Sequence, residues 1–244
     1  MLKLHELTTD DEFKSVVEVE HEAYSKPFNG IWEVLKGSSP EECCARQLSW
    51  HRNDPSSNWV YITDESSGDV VGAAQWNIYK ENPYANGPPE LKAYWLPGGK
   101  SIRYVKSGTL GSSNIPKINH LLPGPLKQVS DQLLGGLIEK CPRYMSKPHL
   151  LISYCFMHLA HRRRGVASLM LKWGTERADK LGLESFVEST EIARTTYEKH
   201  GFEFVEDLYM DASTENPNEE FNAVRKKLEC PIHGFLLKRN PVSK

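Results

Sequence analysis

Two periods of hydrophobic and polar positions recur along the chain, and each predicts its own kind of element. A helical period runs through residues 166–181, and Gly182 follows it as a C-terminal stop. The apolar stripe of this predicted helix consists of Val166, Leu169, Met170, Trp173 and Leu181. Runs rich in apolar and β-branched residues predict strands at 149–159, 184–190, 202–210 and 233–239, with a short helix at 193–200 and a polar loop at 211–220 between them. This alternation of strands and helices is typical of an α/β sheet, in which the most apolar run, the first, fits a central strand.

The first half of the chain carries weaker patterns of the same kinds. After an opening strand, a helical period begins near Thr9 or Asp10, and either side chain is a candidate N-cap. A second helix is predicted to start at Ser39, where the sequence Ser-Pro-Glu-Glu forms a capping box. Two strand-like runs at 59–65 and 69–79, joined by a Ser-Ser-Gly turn, predict a hairpin. These longer strands make the predicted sheet a mixed one.

Residues 80–145 interrupt the regular pattern. Pro, Gly, Asn and Tyr dominate the segment up to about residue 122, and a helix weakened by Gly135 and Gly136 is predicted over 124–141. Because plain connections are rarely so long, we interpret the segment as an insertion in a single domain of residues 1–244, and as a candidate lid over an acceptor site. The aromatic residues that bracket it either line an acceptor pocket or anchor the loop to the core; they are Trp76, Tyr84, Tyr94 and Trp95.

Composition narrows the classes of function. The formal net charge of −2 makes a surface-wide affinity for nucleic acid or membrane unexpected. Five cysteines without a CxxC spacing predict reduced thiols rather than a disulfide framework or a zinc ribbon, and we expect no metal. The first residues lack the apolar core of a signal peptide, and no apolar run approaches the length of a membrane span. We therefore expect a cytoplasmic protein, with a nuclear location left open.

The sequence HRRRGVAS at residues 161–168 is the strongest candidate for a binding site. It follows a buried-type strand and opens a helix, so backbone N–H groups and the positive end of the helix dipole meet there. Gly165 allows a ligand to approach the backbone closely, and the arginines would add charge-assisted hydrogen bonds to phosphate groups. A solvated basic turn explains the same three arginines equally well. From these residues alone, both interpretations stay open.

The turn and a second motif together resemble the GNAT acetyltransferase superfamily. RRRGVA at 162–167 matches the superfamily signature, with Arg162, Gly165 and Ala167 at its fixed positions, and YEKHGF at 197–202 is similar to a later part of the same core. The specific likeness covers about residues 150–210. Within it, a set of positions is similar to a group of small GNAT enzymes from filamentous fungi: Trp173, Ala178, Asp179, Gly182, Glu188 and Tyr197.

The resemblance implies a fold and a cofactor site. The fold would be a mixed, mostly antiparallel twisted sheet flanked by helices on both faces. The strand before the turn would splay from its neighbour, and its backbone would pair with the pantetheine arm of acetyl-CoA, while the turn would hold the pyrophosphate. The residues placed against acetyl-CoA in this way are Met157, His158, Leu159, Arg162, Arg163, Arg164, Gly165, Val166, Ala167, Ser168 and Arg194.

The resemblance also implies one catalytic residue and leaves another unassigned. Tyr197 matches the tyrosine that protonates the departing CoA thiolate. Some family members carry a histidine or glutamate base on the central strand, where this chain offers only Ser153, Tyr154 and Cys155. Glu188, at the end of its strand, is a candidate base, although a strand-end carboxylate also serves to cap a helix or face solvent.

The leading hypothesis is therefore an acetyltransferase that moves an acetyl group from acetyl-CoA to the amine, or the hydroxyl, of a small molecule. One alternative is a module of this fold that binds acyl-CoA without turnover, and another is a protein N-acetyltransferase. A nucleic-acid binder is the least favoured class, since the basic turn is local. We expect a monomer or a homodimer, without a nucleic-acid or membrane partner.

Overall fold

The main sheet has seven strands, and its order brings distant parts of the chain together. The structure is a computed structural model that describes residues 1–37, 39–86, 91–93, 100–102, 124–138 and 140–242. Its strands are β1 (Leu2–Glu6), β2 (Ser57–Asp64), β3 (Val70–Tyr79), β4 (Leu91–Ala93), β5 (Lys100–Ile102), β6 (His149–Met157), β7 (Glu184–Thr190), β8 (Glu203–Met210) and β9 (Ile232–Arg239). The main sheet runs β1-β2-β3-β6-β7-β9-β8, and β4 pairs with β5 separately.

Helices surround this sheet. They are α1 (Glu12–Ala23), α2 (Gly30–Leu35), α3 (Pro40–Asn53), α4 (Gly124–Ile138), α5 (Cys141–Tyr144), α6 (Val166–Leu181), α7 (Glu191–Glu198) and α8 (Glu219–Lys227). In the main sheet the β6–β7 pair is parallel and the other five pairs are antiparallel. The predicted mixed, mostly antiparallel sheet with flanking helices is thereby confirmed, with β6 in its central position.

The two faces of the sheet support separate parts of the core, as alternating residues of β3 illustrate. Ala74 packs with Met170 of α6 on one face. Its neighbour Ala73 packs with Phe13 of α1 on the other, because successive side chains of a strand point to opposite faces. A third group of buried side chains comes from α4, α8, β8 and β9. It extends the core on the same face of the sheet as α1, next to the strands of the second half of the chain. A ligand between β6 and β7 can therefore be reached by residues from both faces.

Several predicted elements are confirmed closely. The bounds of α6 and β7 are those predicted, and Gly182 ends α6 in the left-handed conformation with φ 67°. The Ser39 hydroxyl accepts the Glu42 N–H at 3.2 Å, as expected for the N-cap of α3. Leu181 was wrongly placed on the buried stripe of α6, since it is 48% exposed and Leu171 is buried instead. Spacing alone does not show whether the last turn of a helix still packs against the core, so residue positions there are easily assigned to the wrong face.

Other predictions were wrong at the ends of elements or missed short helices. Neither Thr9 nor Asp10 caps α1 through its side chain; the Glu12 carboxylate instead accepts the N–H groups of Thr8 and Thr9, both at 2.8 Å. The loop at 211–220 does not lead directly into the last strand, because α8 lies between them. The helix α2 was not predicted. Tyr94 and Trp95 lie outside the described residues, as do the parts of the proposed insertion at 87–90, 94–99, 103–123 and 139.

Candidate functional site

A gap opens where β6 and β7 part. Their parallel ladder extends from His149 opposite Glu184 to Ile152 opposite Val187. Beyond it, residues 154–157 pair with β3 after a register shift that leaves Ser153 without a partner in that ladder, and residues 188–190 pair with β9. The gap therefore lies between the carboxyl-terminal ends of two parallel strands, which is the position where open α/β sheets commonly bind ligands.

The arginine-rich turn lies at the end of β6. After Met157 the chain makes a single 3₁₀ turn over Leu159–His161, and Arg163 adopts a left-handed conformation with φ 60°. Gly165, with φ 91°, is the N-cap of α6, and no side chain among the described residues caps the first N–H groups of this 16-residue helix. A Cβ atom at Gly165 would have no heavy atom within 4 Å. The start of α6 thus offers backbone donors and open space to an anion.

Two of the three arginines are engaged by the protein itself. The Arg162 guanidinium donates to the backbone carbonyl of Lys26 at 2.9 Å. Arg164 donates to Asp64 Oδ2 at 2.8 Å, and the Ser66 hydroxyl together with this guanidinium holds the pKa of Asp64 well below its usual range. These contacts anchor the turn to the end of β2 and to the segment before α2. In this geometry the turn is a fixed part of the structure rather than a loose basic segment.

The histidines of the turn are held by neighbouring groups. The Ala160 N–H donates to His158 Nδ1 at 3.1 Å, and the other ring nitrogen lies 2.8 Å from Glu22 Oε2. His161 Nδ1 lies 2.6 Å from a nitrogen of the Arg164 guanidinium. Both imidazoles therefore stabilise the turn where they lie.

Tyr197 lies beside the free part of β6. Its side chain is 6% exposed, packs against Phe202, and hydrogen-bonds through its hydroxyl to the thiol of Cys155. Burial and the neighbouring Cys155 raise the pKa of Tyr197 well above its ordinary value, so the phenol keeps its proton. Burial also raises the pKa of Cys155 to about 11, so this thiol is a poor nucleophile, as expected. The Tyr24 hydroxyl approaches the backbone of the same cysteine from α1's side.

Arg194 is one helical turn before Tyr197 on α7. Its Nε donates to Glu198 Oε1 at 2.7 Å, and its guanidinium lies 4.5 Å from the ring centre of Phe235 and 5.1 Å from that of Phe204. A cation above aromatic rings is a stable arrangement in its own right. The structure thus directs Arg194 towards β8 and β9, and a contact with acetyl-CoA stays a prediction.

Glu188 faces the gap from β7 and has a defined partner. The Cys141 thiol, at the start of α5, donates to Glu188 Oε1 at 3.5 Å. The Tyr84 hydroxyl in turn hydrogen-bonds to the Cys141 sulfur. Burial raises the pKa of Glu188 to about 7, although the thiol hydrogen bond opposes this shift. A carboxyl group with such a pKa changes its protonation state near neutral pH, as a general base must.

The gap continues into a cleft of about 160 Å³, which we call the β6–β7 cleft. Its residues come from the end of α1, from α2 and α4, and from β6, β7, β8 and β9. Apolar side chains dominate its walls, including Ile31, Trp32, Leu35, Leu208, Met210 and Ile232. Glu188, Ser153 and His233 supply polar groups, and His233 Nε2 lies 2.9 Å from Asp207 Oδ1. The cleft therefore combines an apolar wall with a single carboxyl group at its β7 side.

The contributions of α2 and β9 to this cleft were not predicted from the sequence. A signal for α2 existed, since Asn29 is a favoured N-cap residue and its side chain accepts the Trp32 N–H at 3.0 Å. The contact of Cys141 with Glu188 joins residues 47 positions apart and left no local signal.

Most of the residues predicted for the site lie around this one gap. Met157, His158 and Leu159 end β6 and begin the 3₁₀ turn; the following segment at 162–168 forms the turn and the start of α6; Glu188 lies on β7. The described residues contain no cluster of three or more His, Cys, Asp or Glu side chains suited to a metal ion. Within the same ranges, no helix is both long and apolar enough to cross a membrane.

Comparison with known proteins identifies the fold that carries this site. The fold is that of the GNAT acetyltransferases, and the model of the Acetyltransferase (GNAT) family matches residues 126–202, about a third of the chain. This match includes the arginine-rich turn, Glu188 and Tyr197. No curated protein matches the chain in sequence. The narrower likeness to enzymes of filamentous fungi is not tested by these comparisons and stays a prediction.

Solved structures resemble the whole chain. A mosquito arylalkylamine N-acetyltransferase-like 5b protein superposes with a TM-score of 0.57 at 13% identity, covering 98% of this chain and 100% of that one. A histone acetyltransferase HPA2 and related acetyltransferase from Corynebacterium glutamicum gives 0.53 at 14% identity, covering 100% and 98%. An N-acetyltransferase from Staphylococcus aureus gives 0.51 at 10% identity, covering 98% of each. Identities this low establish a shared fold and nothing further about the acceptor.

Proposed function

We propose that the protein is an acetyltransferase that moves an acetyl group from acetyl-CoA to the amine of a small molecule, by direct attack within a ternary complex. The observation that carries the proposal is the convergence of three features on one gap. These are the uncapped start of α6, the protonated phenol of Tyr197 and the carboxyl group of Glu188. Each supplies what one part of such a reaction requires.

The start of α6 suits the pyrophosphate of acetyl-CoA. Its free N–H groups carry the positive end of the helix dipole, and Gly165 leaves the space above them open. The exposed Arg163 is available at the rim, whereas Arg162 and Arg164 hold the turn in place. The unpaired edge of residues 153–157 offers backbone groups to an extended pantetheine arm, which would direct the thioester into the gap.

Glu188 and Tyr197 suit the two proton transfers. Glu188 removes a proton from the bound ammonium group, which leaves a neutral amine to attack the thioester carbonyl. A bond forms between the amine nitrogen and the carbonyl carbon, and the carbon–sulfur bond breaks. The nitrogen, cationic after its attack, releases a second proton, and this proton restores the phenol of Tyr197 through solvent after Tyr197 has protonated the thiolate. Tyr197 gives its proton to the departing thiolate. Because its pKa is high, the phenol keeps this proton until negative charge develops on the sulfur. Binding both substrates in one gap lowers the entropic cost of their encounter.

The shape of the β6–β7 cleft favours a small-molecule acceptor over a protein chain. Its described walls come from seven elements that converge on a pocket rather than a long groove. Protein acceptors and binding without turnover are the two outcomes that the kinetic test below separates from this proposal.

The test measures release of the CoA thiol with acetyl-CoA and a panel of primary amines. Tyr197→Phe and Glu188→Gln are each expected to lower kcat/KM by about 10²- to 10⁴-fold, the usual contribution of a proton-transfer group. Both variants should bind acetyl-CoA as the wild type does, which calorimetry checks. Acetyl-CoA binding without turnover of any amine would contradict the proposal and favour a binding module or a protein acceptor.

A further inference from the structure

The walls of the β6–β7 cleft restrict what its ligand can carry. Eight of its lining residues are aliphatic or are the indole of a tryptophan: Ile31, Trp32, Leu35, Leu137, Ile152, Leu208, Met210 and Ile232. Tyr24 and Tyr154 add aromatic rings, and the former lies 5.0 Å from the ring of Trp32. Hydrocarbon placed against these walls leaves water at a gain of roughly 25 cal/mol per Å² of apolar surface.

The charges of the cleft are equally restrictive. Among the described residues that line it, Glu188 is the sole carboxylate, and none is lysine or arginine. His233 is the one lining side chain that could carry positive charge, and its imidazole is paired with Asp207. One cationic group on a ligand therefore finds a partner, whereas a second cation or a carboxylate does not. An unpaired charge in an apolar site is strongly disfavoured.

We propose that the acceptor is a small primary amine whose remainder is a hydrocarbon chain or an aromatic ring, with no second charged group. This inference rests on the proposed acetyl transfer and adds the class of acceptor to it. The ammonium group lies at Glu188, and the hydrocarbon part lies against α2, β8 and β9. Amino acids, diamines and charged peptide segments are poor acceptors for the same reason: each brings a charge that the described cleft does not pair.

Matched pairs of amines test the inference directly. Hexylamine and 1,6-diaminohexane differ by one ammonium group, and 2-phenylethylamine and phenylalanine differ by one carboxylate. At saturating acetyl-CoA, we expect kcat/KM for the first member of each pair to exceed that of the second by about 100-fold or more, since an unpaired buried charge costs several kcal/mol. Calorimetric binding of acetyl-CoA is measured on the same samples.

A variant of the wall provides a second test. Ile31, on α2, is partly buried and lines the cleft, so a carboxylate there would meet the far end of a bound amine. Ile31→Glu is expected to reduce the preference for hexylamine over 1,6-diaminohexane at least tenfold. Ile31→Leu, the matched control, should leave the preference unchanged. A preference that is the same in all three proteins would contradict the placement of the hydrocarbon part.

The outcomes separate this inference from the function on which it rests. If the member of each pair that carries the second charged group is acetylated as well as its partner, or better, the acceptor class is wrong and acetyl transfer stands. If acetyl-CoA binds and none of the four amines is acetylated, the acceptor class is also wrong. If acetyl-CoA itself does not bind, the proposed function fails first.

Discussion

At the scale of single residues, one weak hydrogen bond opposes the effect of burial on the pKa of Glu188, the candidate base. The Cys141 thiol is the described donor to Glu188, and the cysteine is 7% exposed. We expect Cys141→Ser to lower the pKa of Glu188, because a hydroxyl is a stronger donor than a thiol, and Cys141→Ala to raise it by removing the donor. The measurement is the acid limb of kcat/KM against pH. Equal shifts in the same direction for both variants would show that the contact does not set this pKa.

Glu20 is a second unusual carboxyl group, and it affects stability rather than chemistry. It is fully buried, and burial raises its pKa to about 8. Gln47 donates to Oε2 at 2.7 Å, while Oε1 finds no hydrogen-bond partner among the described residues. The unfolded chain ionises this group near its ordinary pKa of 4.5, whereas the folded chain ionises it only near 8. The folded state therefore loses stability relative to the unfolded state as pH rises through this range.

Replacing this carboxyl group should remove that loss. Glu20→Gln is expected to match or fall below the wild type in stability at pH 4.5 and to gain on it by a few kcal/mol by pH 8. Urea unfolding at several pH values measures the difference. Glu18→Gln, an exposed position on the same helix, is the control and should show no such trend. If the free energies of unfolding of Glu20→Gln and the wild type differ by the same amount at every pH, the raised pKa of Glu20 is contradicted.

At the scale of elements, α6 contains a glycine that its packing requires. Trp76 of β3 lies against Gly174, a Cβ atom there would overlap the indole, and the indole N–H donates to the Met170 carbonyl at 3.3 Å. Gly174→Ala should therefore destabilise the fold by about 1–3 kcal/mol, although alanine favours helix. Gly136→Ala in α4, where a Cβ meets no atom within 4 Å, should instead stabilise by about 0.5–1 kcal/mol. Thermal or urea unfolding compares the two, and destabilisation of equal size would contradict the packing argument.

The elements also show what sequence patterns can and cannot predict. The bounds of α6 and β7 followed from strong periodicity and from Gly182, whose left-handed conformation ends a helix by local geometry alone. The short helices α2 and α8 have too few turns for a period to be visible. Each is instead marked by an asparagine N-cap, Asn29 and Asn218.

At the scale of the whole molecule, the fold class and the turn were predictable, and the cleft was not. The turn is a contiguous motif, so its residues are adjacent in sequence. Its anchor, Asp64, lies 100 positions from Arg164, and the cleft joins residues from α1 to β9. Such contacts depend on strand order, which the pattern of hydrophobic positions does not specify. The acceptor preference therefore emerges only from the assembled structure.

The central claim is that acetyl-CoA binds at the start of α6, and calorimetric titration of three proteins tests it most directly. Gly165 and Gly182 lie at opposite ends of α6, both have positive φ, and a Cβ atom at either meets no atom within 4 Å. Gly165→Phe and Gly182→Phe therefore add the same side chain with similar backbone strain. The account predicts that the wild type and Gly182→Phe bind acetyl-CoA with similar affinity, and that Gly165→Phe loses about 100-fold or more, since a bulky ring blocks the helix N-terminus. Equal affinity in all three proteins, or no binding by the folded wild type, would contradict it.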